Sequence, residues 1–77
     1  MIAFVRGHFA VKTPARVVVD VNGVGYEVQM ARTKFQEGEE VKLCIYMAVS
    51  ENEIRLFGFE NYEDLDLFKM LISVSGV

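Results

Sequence analysis

At 77 residues the chain is one domain at most, and a body this small buries only about 60–65% of the surface its unfolded chain exposes. Its hydrophobic share, 52%, is above the ordinary one and points to a partner surface or to a piece of something larger. A net charge of −3 and a pI near 5.0 exclude a chain-wide basic footprint for nucleic acid, though not a local one. Cys44 is the single cysteine, which excludes an internal disulfide or a multi-cysteine zinc site and suits a reducing compartment. The opening apolar run Ile2-Ala3-Phe4-Val5 stops at Arg6, too short for a signal peptide or a membrane span, so a cytoplasmic protein is expected, with no membrane partner.

In chain order, residues 2–12 read as a long strand, with Gly7 near its middle as a bend or bulge. Thr13-Pro14-Ala15 holds the only proline and is the first turn. Residues 16–21 form a second strand. Asn22-Gly23 then separates two apolar runs, the strongest short-range signal of a tight hairpin, because both central residues of a type I′ turn need positive φ. Gly25 predicts a close backbone approach or a bulge. Residues 24–30 alternate, with Tyr26, Val28 and Met30 on one face and Glu27 and Gln29 on the other. Residues 31–40 are polar and read as a loop or one short helical turn. Residues 41–50 are a long fourth strand: Val41, Leu43, Ile45, Met47 and Val49 share one face, Cys44, Tyr46 and Ala48 the other. Glu51-Asn52-Glu53 is an acidic turn, and residues 54–59 are the fifth strand, with Gly58 near its end.

The period then changes. Asn61 is an N-cap and Asp64 stands three residues on, with Glu63 and Asp64 in the first turn of a helix over about residues 62–74. Tyr62, Leu65, Phe68 and Ile72 form one stripe. Leu67, Met70, Leu71 and Val74 widen it past an ordinary amphipathic face, so two sides of the helix should be covered and five strands supply one. Five strands with a break after the third suggest a mainly β fold, a small Greek-key barrel of the OB type followed by a C-terminal helix.

Few residues offer chemistry. His8 has no second histidine or cysteine at ligand spacing and reads as a structural or surface residue, so no metal or other cofactor is expected. Cys44 in a strand reads as a small core residue. Gly23 and Gly25 are not a phosphate loop, since no helix and no Lys-Ser/Thr follows. Arg6, Lys12, Arg16, Lys34 and Arg55 are scattered and read as solvated groups rather than a groove. Tyr26, Tyr46, Phe57 and Phe59 could stack bases, as in many OB folds, but alternate as core or interface residues do. By itself the 51–53 turn reads as a solvated hairpin tip. No nucleophile–base pairing is visible, so catalysis is not expected.

The segments Met1-Ile2, Arg6-Gly7, Val21-Asn22-Gly23-Val24-Gly25-Tyr26-Glu27-Val28, Leu56-Phe57-Gly58-Phe59, Leu67-Phe68, Leu71-Ile72-Ser73-Val74 and Gly76-Val77 occur in an order and spacing that resemble the N-terminal domain of the RuvA family, the Holliday-junction-binding subunit of the bacterial branch-migration complex. The resemblance spans nearly the whole chain. It implies an OB domain over residues 1–60, then the first helix of a helix-hairpin-helix domain over residues 61–77, cut short where the first hairpin begins at Gly76 and Val77. It implies a non-catalytic subunit acting in DNA recombination and repair, in homotetramers that hold a four-way junction. Its partners would be a RuvB-type ATPase motor and a RuvC-type resolvase. Most DNA affinity in the family comes from hairpin motifs that would follow Gly76-Val77, so little DNA binding is expected of these residues alone.

The resemblance also gives the 51–53 turn a role. The family carries an acidic pin between its fourth and fifth strands, two adjacent acids facing the junction crossover and repelling phosphates over about 10 Å at 0.1 M salt. Glu51 matches the first acid. Asn52 stands where the second is usual, and Glu53 is the candidate replacement. Two other readings stay open: a generic OB adaptor for single-stranded nucleic acid or protein, and a purely structural oligomerisation module in which the charges of Glu51 and Glu53 are irrelevant.

Overall fold

Alternation decides which side chains line the interior. In a computed structural model that describes residues 1–30 and 33–75, the strands are β1 (Phe4–Lys12), β2 (Arg16–Val21), β3 (Val24–Gln29), β4 (Glu40–Val49) and β5 (Ile54–Phe59), followed by α1 (Tyr62–Ser75). Every second residue of each strand points inward: Val5 and Phe9 from β1, Val17 and Val19 from β2, Val28 from β3, Val41, Leu43 and Ile45 from β4, Leu56 from β5. These close-packed β-branched and aromatic groups make one core, with Met30 and Phe35 adding to it from the connection after β3.

The sheet closes on itself in the order β1-β2-β3-β5-β4, and β4 returns to β1. Only the β3–β5 pair is parallel. This is the five-stranded Greek-key barrel of the OB type that the sequence predicts. Closure forces β1 to pair with β2 and β4 at once, and β1 bends to do so. The bend is not a bulge at Gly7. Gly7 pairs regularly with Val41, and the irregularity lies between Phe9 and Val11, where the β1–β2 register slips. Gly7 serves a different need: a Cβ there would overlap the backbone carbonyl of Asp20. Gly58 has a related part, since a Cβ would stand 2.5 Å from Val28 Cγ1 inside the core. At Gly25 the ladder is regular, opposite Asp20, and the close approach is to Val18 Cγ1 at 3.2 Å from an added Cβ.

Three hairpin turns are closed in two ways. Asn22 (φ 53°) and Gly23 (φ 88°) both take positive φ, as a type I′ turn requires, and the Gly23 N–H donates to Asp20 Oδ1 at 2.8 Å. At the β1–β2 and β4–β5 turns a hydroxyl does the work instead. Thr13 Oγ1 accepts from the Arg16 N–H at 3.2 Å, and Ser50 Oγ accepts from the Glu53 N–H at 3.3 Å. In each the side-chain hydroxyl is the acceptor, and neither turn contains a positive φ. The connection from β3 to β4 is irregular over residues 33–39 and is held down by Lys12, whose Nζ donates to the Phe35 carbonyl at 2.8 Å and the Thr33 carbonyl at 3.3 Å. Lys12 is therefore a half-buried tether rather than the solvated cation expected of it.

Asn61 caps α1 as predicted, accepting from the Asp64 N–H at 2.8 Å. The helix lies on the outer face of β4 and β5. Leu65 is buried there at 4% exposure, and Phe68 stands against Tyr46, Phe57 and Phe59 with ring centroids 5.5, 5.5 and 5.1 Å away. Tyr62, at the head of the expected stripe, stays about half exposed, as do Leu67, Met70 and Leu71.

Two substitutions check the closure argument by urea denaturation. Gly7→Ala is expected to destabilise the domain by about 1–3 kcal/mol, because the Asp20 backbone cannot move aside without breaking the β1–β2 ladder. Gly25→Ala meets one side-chain methyl at 3.2 Å and is expected to cost less. Equal losses at the two sites would remove the special status of Gly7.

Candidate functional site

The β4–β5 hairpin runs past both of its neighbours in the barrel. The β1–β4 ladder ends at Phe4↔Cys44, with one further bond from the Ile45 N–H to the Ala3 carbonyl, and the β3–β5 ladder covers Leu56 and Phe57. Beyond those limits the strands pair only with each other, through Ala48↔Arg55 and Val49↔Ile54. The projecting end exposes Val49 and Ile54, a directly opposed apolar pair, and finishes in the Ser50–Glu53 turn, with Glu51 and Asn52 at its tip. The Ser50 N–H donates to the Glu53 carbonyl at 2.9 Å, so the tip is a tight, well-bonded turn.

The two acids of that turn differ electrostatically. Glu53 Oε2 lies 2.8 Å from Arg55 Nη2, two residues along the same strand face. The hydrogen bond from Arg55 and the charge of Glu53 raise the guanidinium above its ordinary pKa, and partial dehydration opposes this weakly. The pair is half exposed on both sides, so it adds little to stability, but it sets a positive charge beside that of Glu53 and weakens its negative field. Glu51 and Glu53 share the tip, but the described ion pairs leave Glu51 as its unopposed carboxylate.

The remaining candidates fall elsewhere. Asn22, Gly23 and Gly25 form the β2–β3 hairpin, a structural turn at the same end of the barrel as the 51–53 tip, since β2 and β4 both run towards it. Gly76 and Val77 lie outside the described residues. His8 is exposed on β1, and among the described residues no group of three or more metal-capable side chains assembles. No described helix is long and apolar enough to cross a membrane.

The aromatic residues settle what kind of surface the barrel presents. Tyr46, Phe57 and Phe59 are half-buried beneath Phe68 of α1, and Tyr26 packs against the interior. The open outer face of β2 and β3 carries Arg16, Val18, Asp20, Glu27 and Gln29, with Arg16 Nε bound to Glu27 Oε2 at 3.1 Å. None of these is a stacking platform, and the one cation there is already paired. Cys44 lies on the same face of β4 as Tyr46, away from the barrel core and between its cross-strand partners Phe4 and Phe59, and is 4% exposed. It is buried, as the small core residue expected of it, but outside the barrel's own core.

A closed five-stranded OB barrel with an acid-tipped projecting hairpin and a capped helix packed on β4 and β5 defines the class. The model of the RuvA N terminal domain family matches residues 1–58, and the chain belongs to that family. It is 43% identical over 81 aligned residues to a Holliday junction branch migration complex subunit RuvA of Syntrophomonas wolfei, covering 100% of this chain and 41% of the relative. A protein of the same name from Geobacter sulfurreducens is 43% identical with the same coverage, and one from Lachnospira eligens 42% identical with 39% of its length covered. The chain thus spans about two fifths of the length of the relatives it matches.

The outer aromatic layer makes a measurable claim about Cys44. In the native chain its thiol is expected to react slowly with a disulfide reagent. Phe68→Ala should speed that reaction at least tenfold while far-UV circular dichroism keeps the strand signal. An unchanged rate would mean that Phe68 does not hold α1 over β4.

Proposed function

We propose that this chain is the scaffold and acidic-pin domain of a subunit that binds four-way junction DNA during branch migration. The observation that carries the reading is the projecting β4–β5 hairpin with Glu51 at its tip, in a chain of a family whose relatives are named as Holliday junction branch migration subunits. A carboxylate at the end of a projecting, tightly closed hairpin is held away from the barrel, where it repels phosphates without sacrificing any core contact. Glu51 is the principal pin residue. Asn52 contributes shape without charge, and Glu53 contributes a charge tempered by Arg55.

Residues 1–60 are the OB domain in this reading, and 61–77 the first helix of a helix-hairpin-helix domain. The half-exposed Leu67, Met70 and Leu71 support it, because a helix with two apolar sides belongs between two layers. Gly76 and Val77 would then open the first DNA-binding hairpin. The whole subunit would be non-catalytic and cytoplasmic and would assemble as a homotetramer. A RuvB-type ATPase would supply ATP hydrolysis, and a RuvC-type resolvase would act on the same junction. The unpaired Cys44 suits a reducing compartment. The buried aromatics and the paired Arg16 speak against a single-strand adaptor.

A chimera tests this: residues 1–77 replace the aligned part of the Syntrophomonas wolfei relative. Gel-shift competition among four-way junction, duplex and single strand should show junction preference for the chimera and little binding by the 77 residues. Preference for single strand would favour the adaptor instead. In the same chimera, Glu51→Gln with Glu53→Gln should leave junction affinity equal or higher and alter the branch-migration rate. A double variant that migrates junctions at the unaltered rate would leave the turn without a role.

A further inference from the structure

The outer face of β1 and β4 holds a feature that neither the barrel nor the pin uses. Arg6 and Lys42 are direct cross-strand partners, so their side chains leave the sheet on the same side, and both are exposed. Like charges placed directly opposite one another destabilise a strand pair. Among the other described cations, Arg16 is answered by Glu27, Arg55 by Glu53 and Lys12 by two backbone carbonyls, while Lys34 Nζ lies over the Phe35 ring. At this pair no carboxylate is within ion-pairing distance among the described residues. Glu40 shares the face but stands opposite His8, two residues along β4 from Lys42. What Lys42 does contact is an aromatic face, its Nζ lying 4.5 Å from the centroid of Phe4, which is itself 48% exposed.

We propose that Phe4, Arg6 and Lys42 form a secondary contact for the backbone of a nucleic-acid strand. The inference deepens the DNA-binding reading above and rests on it. One phosphate between two opposed cations relieves their repulsion and accepts hydrogen bonds from both. Phe4 beside them offers a sequence-tolerant surface on which a neighbouring base stacks, which an acidic peptide would leave unused. The chain is otherwise acidic, with 11 carboxylate side chains against 8 basic ones, so a polyanion is repelled from most of its surface and admitted here. The patch answers the pin: Glu51 turns phosphates away from the hairpin tip, and the β1–β4 face receives them.

The test is a titration of the isotopically labelled 77-residue chain with a 12-nucleotide thymidine strand, followed by amide chemical shifts. Signals of residues 4–8 and 40–44 are expected to move. Arg6→Gln with Lys42→Gln removes the one phosphate site the two cations share, which lowers the slope of log affinity against log salt by about 0.7. Between 50 and 200 mM salt the native chain should then lose about 2.6-fold more affinity than the variant. Arg16→Gln, whose arginine is already paired, should keep the native slope. Shifts that cluster elsewhere, no shifts at millimolar strand, or an unchanged slope in the double variant would overturn the proposal. So would a polyglutamate peptide that moves these signals when DNA does not. If the chimera still prefers four-way junctions while any of these holds, this contact alone falls and the pin reading stands. A chimera without junction preference would remove that reading instead.

Discussion

β1 has to serve two neighbours, and most of the molecule is arranged around that constraint. Closing a sheet into a barrel needs tilted, staggered strands that pair on both edges, and β1 does so with different parts of its length, residues 4–8 on β4 and 8–12 on β2. Here the slip between Phe9 and Val11 supplies the bend, and Gly7 leaves room where the Asp20 carbonyl comes closest. Gly58 admits Val28 on the far side of the same core. With those three features in place, the inward residues of all five strands meet, and the barrel has no open edge along most of its circumference. The end of the β4–β5 hairpin runs past both of its neighbours.

The helix turns the barrel into a two-layered body. Phe68 gathers Tyr46, Phe57 and Phe59, and Leu65 is buried on the same side. Aromatic side chains that would make an OB sheet a base-stacking surface are spent on holding α1. That exchange of roles removes Tyr46, Phe57 and Phe59 from any base-stacking surface.

Charge is distributed by the same geometry. Strand register brings Arg16 to Glu27 and sets Arg55 beside Glu53, while Lys12 is drawn onto the carbonyls of the β3–β4 connection. Register also sets Arg6 against Lys42 and leaves Glu51 unopposed at a projecting tip. The cations at 6, 12, 16, 34 and 55 look alike along the chain. Only pairing separates tethers and surface ion pairs from the opposed couple on β1 and β4.

Much of the fold was legible beforehand, for local reasons. Period-2 alternation located β2 to β5 to within a residue or so, Asn22-Gly23 specified a turn that needs two positive φ angles, and Asn61 marked the start of the helix, because each is a property of a few consecutive residues. The family motifs likewise pointed to Glu51. Other features depended on residues far apart in the chain. Gly7 signalled irregularity, but whether a glycine bends its strand or makes room for a carbonyl depends on Asp20, thirteen positions away across the sheet. Cys44 was read as a small core residue and is buried, but it sits with Tyr46 on the face of β4 turned away from the barrel core, which the packing of α1 on β4 and β5 decides and periodicity does not. The sequence by itself determined the strands, the turns and the acid at the hairpin tip, since backbone preference and side-chain period are local. Tertiary structure alone decided which charges are cancelled, which aromatics are covered and how far the hairpin projects, since each of these is set by cross-strand register and barrel closure.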